Sequence, residues 1–180
     1  MPADIRVLTT ADLGPDGLRG VRALLDRSFA AAGGFDDDSW DHALGGVHVV
    51  AGPPDRPAGH ASVVGRRILH DGIPLRTGYV EAVAVDPGMQ GRGLGGYLMT
   101  AVGRLVRGGH RLGALGAGEP AARLYRRHGW TAWPGPLAAL TPDGVRDTPQ
   151  DRGSVYVLPV DVALDPGRPL VCDWRDGDVW

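Results

Sequence analysis

Apolar positions in this chain recur at two spacings. Leu18, Val21, Leu24, Leu25 and Phe29 repeat every three or four residues, which predicts an amphipathic helix over residues 16–32, stopped by Gly33-Gly34. Residues 5–10 read as a strand before it. After it, the acidic loop Phe35-Asp36-Asp37-Asp38-Ser39 leads to a short helix starting near Trp40. Apolar runs at 47–51, 59–69 and 77–85 read as strands, separated by the turns Gly52-Pro53-Pro54-Asp55 and His70-Asp71-Gly72. Leu94, Leu98, Ala101 and Leu105 mark a second long helix that ends near Gly108-Gly109. Residues 112–115 then read as a strand and 119–128 as a helix, with Glu119-Pro120 as its start signal and Gly129 as its stop. Residues 155–160 form a late strand, and 165–180 have no clear periodicity. Strands first, then a strand–helix–strand–helix unit, then strands again predict a mixed α/β fold.

The totals narrow the function classes. At 180 residues the chain is expected to be a single domain with a sizeable core. A net charge of −2 gives no support for nucleic-acid binding. All nineteen basic side chains are Arg, so lysine Schiff-base chemistry is excluded. One cysteine, Cys172, excludes an internal disulfide and a Cys-rich zinc site. The six histidines show no metal-ligand spacing and read as structural or surface residues, so no metal is expected. No segment has the apolar length of a membrane span, and the start Met1-Pro2-Ala3-Asp4-Ile5-Arg6 lacks an apolar signal core, so the expected compartment is the cytoplasm.

Candidate chemistry begins at Glu81. The chain has nineteen Asp but only two Glu, and one of them sits inside the apolar strand Gly78-Tyr79-Val80-Glu81-Ala82-Val83-Ala84-Val85. A carboxylate there needs a partner or a task, because an unpaired buried charge is costly. It reads either as a catalytic base or as a structural carboxylate paired with an Arg. Asp86-Pro87-Gly88-Met89 and Gln90-Gly91-Arg92-Gly93-Leu94-Gly95-Gly96 follow and open a helix. Glycines admit close approach of a phosphate, and a helix N-terminus attracts one. The pattern alone is weak and also suits a plain glycine-rich helix start, but its place after a strand raises it. It lacks the Gly-Lys-Ser/Thr of a P-loop. Tyr125 lies near the end of a helix closing on Gly129-Trp130. It reads either as a core aromatic or as a general acid.

Together these segments resemble the GCN5-related N-acetyltransferase (GNAT) superfamily and, within it, the aminoglycoside 2′-N-acetyltransferases. The narrower resemblance rests on Leu44-Gly45-Gly46-Val47-His48, the Glu81 strand and the final run Cys172-Asp173-Trp174-Arg175-Asp176-Gly177-Asp178-Val179-Trp180. It implies a GNAT-type α/β fold with a mixed, strongly bent sheet splayed at an acetyl-coenzyme A site. It implies one N-acetyltransferase domain over 1–180, with the tail 165–180 docked near the substrate. Glu81 would be the general base, through water or directly, and Tyr125 the acid for the departing thiolate. Val83, Ala84 and Val85 would bind the pantetheine arm. Gln90, Gly91, Arg92, Gly93, Gly95 and Gly96 would bind the pyrophosphate. Asp36, Glu81, Asp151, Asp178 and the terminal carboxylate of Trp180 would bind an aminoglycoside or a similar polyamine. The subgroup also implies a homodimer. Transfer to another amino sugar, polyamine or cell-wall precursor, or acyl-coenzyme A sensing without catalysis, are the alternatives. Two departures bear on substrate range. Gly34 stands where the family has an acidic residue, and Gly116-Ala117-Gly118 replaces a serine-rich stretch.

Overall fold

The computed structural model describes residues 4–180; Met1, Pro2 and Ala3, the first half of the start that was expected to lack an apolar signal core, lie outside the described residues. In chain order the elements are β1 (Ile5–Thr9), α1 (Thr10–Phe29), α2 (Asp37–Ala43), β2 (Val47–Ala51), β3 (Gly59–His70), β4 (Ile73–Val85), α3 (Leu94–Gly109), β5 (Leu112–Gly116), α4 (Ala122–Arg127), β6 (Thr131–Ala132), β7 (Leu137–Thr141), β8 (Gly144–Asp147), β9 (Val155–Pro159) and β10 (Leu170–Asp173). They form two compact units. One holds residues up to Val64 with Val80–Arg104; the other holds Gly65–Tyr79 and Leu105–Trp180. β3, β4 and α3 contribute residues to both.

In the first unit β1 runs antiparallel to β2, from Ile5↔Ala51 to Thr9↔Val47, and β2 antiparallel to the start of β3, from Val47↔Val63 to Ala51↔Gly59. The helix expected from residue 16 begins at Thr10. Thr9 and Asp12 form a capping box, each side chain bonded to the other's backbone N–H. Gly14, at φ 61°, breaks the helix ahead of Pro15, so one capped turn precedes the periodic stretch. The apolar face of α1 buries Leu13, Val21, Leu24 and Leu25 with Val50 and Ala84, flanked by Phe29, Phe35 and Trp40. Each of the Leu and Val side chains contributes about 1.5–3 kcal/mol by leaving water. α1 can seat this close because position 20 is glycine: a Cβ there would lie 2.4 Å from the Asp55 carbonyl oxygen.

The second unit is a mixed sheet. β5 runs parallel to β4 over Thr77–Tyr79 and antiparallel to β9, which also pairs with β6. β10 runs antiparallel to the end of β3 and parallel to β7, and β7 antiparallel to β8. Trp130 is fully packed against Gly113, where a Cβ would come within 2.7 Å of the indole. The helix expected over 119–128 is a 3₁₀ turn, Glu119–Ala121, followed by α4. β6, β7, β8 and β10 have no counterpart among the expected strands. β4 begins four residues earlier than expected, with Ile73, Pro74 and Arg76 exposed.

Candidate active site

Glu81 lies in the first unit's part of β4, half-buried, with the Ser62 hydroxyl 3.4 Å from its backbone carbonyl. Val83 and Val85 are half-buried and Ala84 is buried. Ala82 departs from the strand: its φ is +51°, a left-handed value that a non-glycine residue rarely adopts.

The turn after β4 is tied down from both sides. Asp86 accepts from the Gly88 N–H at 3.0 Å and from Arg27 at 3.2 Å, and its own N–H donates to Ala58 O at 2.9 Å. The Gln90 amide reaches back to donate to Val85 O at 3.2 Å, so its side chain braces the loop. Gly91 and Gly93 take φ values of +74° and +81°, and nothing lies within 4 Å of where a Cβ would stand on either. Their glycine character therefore serves the backbone angle, and the surface beside them is open. The Gly93 carbonyl accepts from the N–H groups of Gly96 and Tyr97, so α3 closes its first turn there. N–H groups ahead of that turn have no helical carbonyl within reach and, with the helix dipole, suit an anion. An open, positively polarised turn with exposed Arg92 fits a pyrophosphate.

Asp36, also in this unit, caps α2: its carboxylate accepts from the Ser39 N–H at 2.7 Å, and that bond is the first cause of its lowered pKa. The sequence pattern did not reveal this local task for the acidic loop.

In the second unit Tyr125 on α4 is buried, its ring centroid 5.7 Å from that of Tyr156. Burial first, and the neighbouring Tyr156 second, push its pKa to about 12. The phenol therefore holds its proton across the working pH range. Asp151 ends a short 3₁₀ turn and is half-buried; burial, then the charge of Asp178, raises its pKa. Two carboxylates repelling each other in this way would both gain from a cation. Trp180 is 7% exposed, and its indole N–H donates to Thr148 Oγ1 at 3.0 Å, so the chain end is docked. The terminal group packs on Gly116, where a Cβ would lie 3.1 Å from Trp180 O.

Arg66, which the sequence pattern did not single out, organises this tail. Its guanidinium donates to Asp173 Oδ1 at 2.7 Å, Asp173 O at 2.8 Å and Val179 O at 2.8 Å, and sits 4.6 Å from the Tyr79 ring centroid. Cys172 beside it is buried, and burial pushes its thiol up to about 11, too high for a nucleophile at neutral pH. Among the described residues no cluster of His, Cys, Asp and Glu is arranged to hold a metal, and no helix is long and apolar enough to cross a membrane.

Residues 45–132 match the family described as an acetyltransferase (GNAT) domain. The fold agrees. The GNAT family N-acetyltransferase YhbS of Escherichia coli, crystallised with CoA, superposes with a TM-score of 0.62 at 22% identity, over 97% of this chain and 90% of that one. A GNAT family acetyltransferase from Brucella melitensis, in complex with acetyl-CoA, gives 0.54 at 20% identity, over 85% and 95%. This chain belongs to the GNAT acetyltransferases. More narrowly, it is 42% identical to the aminoglycoside 2′-N-acetyltransferase of Mycolicibacterium fortuitum, over 97% of this chain and 91% of that protein.

Proposed function

We propose that this acetyltransferase moves the acetyl group of acetyl-coenzyme A to the 2′-amino group of aminoglycosides, in a ternary complex and with no acetyl-enzyme. The carrying observation is the 42% identity, along nearly the whole chain, to a protein of that activity. Glu81, directly or through a water, takes a proton from the bound ammonium and frees the lone pair that attacks the thioester carbonyl. Tyr125, which stays protonated because burial holds its pKa near 12, gives its proton to the departing thiolate. Backbone groups of Val83, Ala84 and Val85 hold the pantetheine arm. The turn at Gln90, Gly91, Arg92 and Gly93, with Gly95 and Gly96, holds the pyrophosphate. Asp151, Asp178 and the carboxylate of Trp180 receive the ammonium groups of the sugar, with Asp36 as a further acidic contact. Resistance to these antibiotics, a homodimer and a cytoplasmic location belong to the same reading.

A second reading, transfer to another polyamine or amino sugar, draws on Gly34 and Gly116-Ala117-Gly118, which lack a carboxylate and hydroxyls that the family uses on the sugar. The test is coenzyme A release in parallel with tobramycin, which has a 2′-amine, and kanamycin A, which has a hydroxyl there. Release with tobramycin alone is expected, with Glu81→Gln slower by at least about a hundredfold. Equal release with both would sink the 2′ assignment.

A further inference from the structure

Ala82 is a non-glycine residue held left-handed in the middle of a strand, directly after Glu81 and before Val83. Something must hold it there, since an L side chain resists that backbone angle. Its carbonyl oxygen lies 2.8 Å from His60 Nδ1. His60 is fully buried on β3, and its Nε2 meets His48 Nδ1 of β2 at 2.9 Å. His48 is fully buried as well, and its Nε2 meets the Thr10 hydroxyl at 2.8 Å. Thr10 Oγ1 in turn accepts from the Gly45 N–H at 2.9 Å.

The protons in this chain are fixed by its end. A carbonyl only accepts, so His60 carries its proton on Nδ1. The imidazole is neutral, so its Nε2 accepts and His48 must donate from Nδ1. His48 Nε2 then accepts from Thr10. Every bond points from Gly45 toward Ala82. The β2–β3 register, Val50↔His60 and His48↔Ser62, sets the two rings as diagonal neighbours on one face of the pair. Burial keeps both rings neutral, His48 down to about 4 and His60 to about 3.

We propose that His60, backed by His48 and Thr10, is a positioning residue for acetyl transfer: it holds the Ala82 carbonyl out of line and thereby sets the direction of Glu81 and of the Val83–Val85 backbone. The proposal rests on the roles given above to Glu81 and to the strand that follows it. The left-handed residue turns the chain between the base and the cofactor segment, so releasing its carbonyl disturbs both.

Two near-isosteres separate this role from plain packing. In His60→Asn the amide nitrogen falls where Nδ1 was and can still donate to Ala82 O. In His60→Gln the amide falls where Nε2 was: its oxygen can still accept from His48 Nδ1–H, and the contact with Ala82 is lost. Turnover is read as coenzyme A release with tobramycin, and affinity as acetyl-coenzyme A binding by titration calorimetry. His60→Gln should lose at least about tenfold in kcat and about fivefold in cofactor affinity, while His60→Asn stays within about threefold on both. In an Ala82→Gly background, where the left-handed angle carries no steric penalty, the His60→Gln loss should shrink to under about threefold.

Equal losses for the two isosteres, an unaltered His60→Gln, or the same loss in both backgrounds would overturn the proposal. If His60→Gln does not fold, His60→Asn decides: retention supports the proposal and a loss of about tenfold overturns it. If the wild type releases no coenzyme A with any aminoglycoside, the substrate reading fails. The binding series with acetyl-coenzyme A then judges His60 by itself.

Discussion

Both units of this molecule bury polar centres, and two of these, one from each unit, are built on opposite electrostatic principles. In the first, Thr10, His48 and His60 form a neutral chain of one-way hydrogen bonds that ends on a backbone carbonyl. In the second, Arg66 buries a full charge, its side chain 5% exposed, and distributes it over a carboxylate, two carbonyls and an aromatic face. Both fix main chain that sequence periodicity does not constrain: Ala82 in one case, Asp173 to Val179 in the other. A neutral chain avoids the desolvation of an ion but is vulnerable to protons. A buried guanidinium ignores pH but depends on every acceptor around it.

The largest expected effect breaks the first centre with acid. Free histidine titrates near 6.5, whereas the folded state holds His48 near 4 and His60 near 3. Their neutral burial therefore contributes stability that is complete above about pH 6.5 and is lost as pH falls through the folded values. Each imidazole adds a slope of up to about 1.4 kcal/mol per pH unit in that window. His110 and His128, lowered chiefly by burial, tilt the curve the same way, so the contribution of His60 is read as a difference. Urea midpoints of wild type and His60→Asn, followed from about pH 7 to about 4.5, should diverge by roughly that slope. Parallel curves would mean that His60 does not sit neutral in the fold.

Next in size is the loss of Arg66. Arg66→Met leaves the Asp173 carboxylate and the carbonyls of Asp173 and Val179 without their donor. Asp173 is 42% exposed, and water can reach it, so the cost falls below that of a fully buried pair, about 2–3 kcal/mol. Arg66→Lys should recover less than half of it, since a single ammonium cannot meet three acceptors spread in the guanidinium plane. Urea unfolding measures both. The contrast sharpens if the deficit stays constant between about pH 5 and 6.5, where the histidine centre already loses stability. A deficit that tracks pH would erase the distinction between the centres.

The two centres also differ in what the sequence revealed. Motif-bearing segments were legible: the strand over 47–51, the α3 stripe of Leu94, Leu98, Ala101 and Leu105, the glycine turn and the acidic tail all carry local signals. The strands that escaped are those made by their partners. Leu137–Thr141 is Leu-Ala-Ala-Leu-Thr, with weak intrinsic strand preference, and exists because β10 and β8 flank it. Leu170–Asp173 is four residues long and pairs with segments about a hundred and about thirty positions away. Histidines 48 and 60 were read as structural or surface residues, and both are buried. Their linkage is set by a diagonal cross-strand placement and a left-handed alanine, neither of which leaves a local trace. Arg66 was invisible for the same reason, because its acceptors lie 107 and 113 residues further along the chain.

The smallest effect tests how firmly the second centre holds the chain end. A methyl group at position 116 would stand 3.1 Å from Trp180 O, close enough that the terminal carboxyl must give by a few tenths of an ångström. Arg66 holds the carbonyl of Val179 one residue earlier, and the indole is bonded to Thr148, so the carboxyl can swing only about anchored neighbours. Gly116→Ala should therefore change stability by less than about 0.5 kcal/mol while raising KM for tobramycin about threefold, with kcat nearly unchanged. In an Arg66→Met background the tail has lost its nearer anchor and can yield freely. The Gly116→Ala effect on KM should then vanish, since crowding matters only against a group that is held in place. Persistence of the threefold change there would mean that the indole alone seats the carboxylate, and that the buried guanidinium stabilises the fold without bearing on the KM for tobramycin.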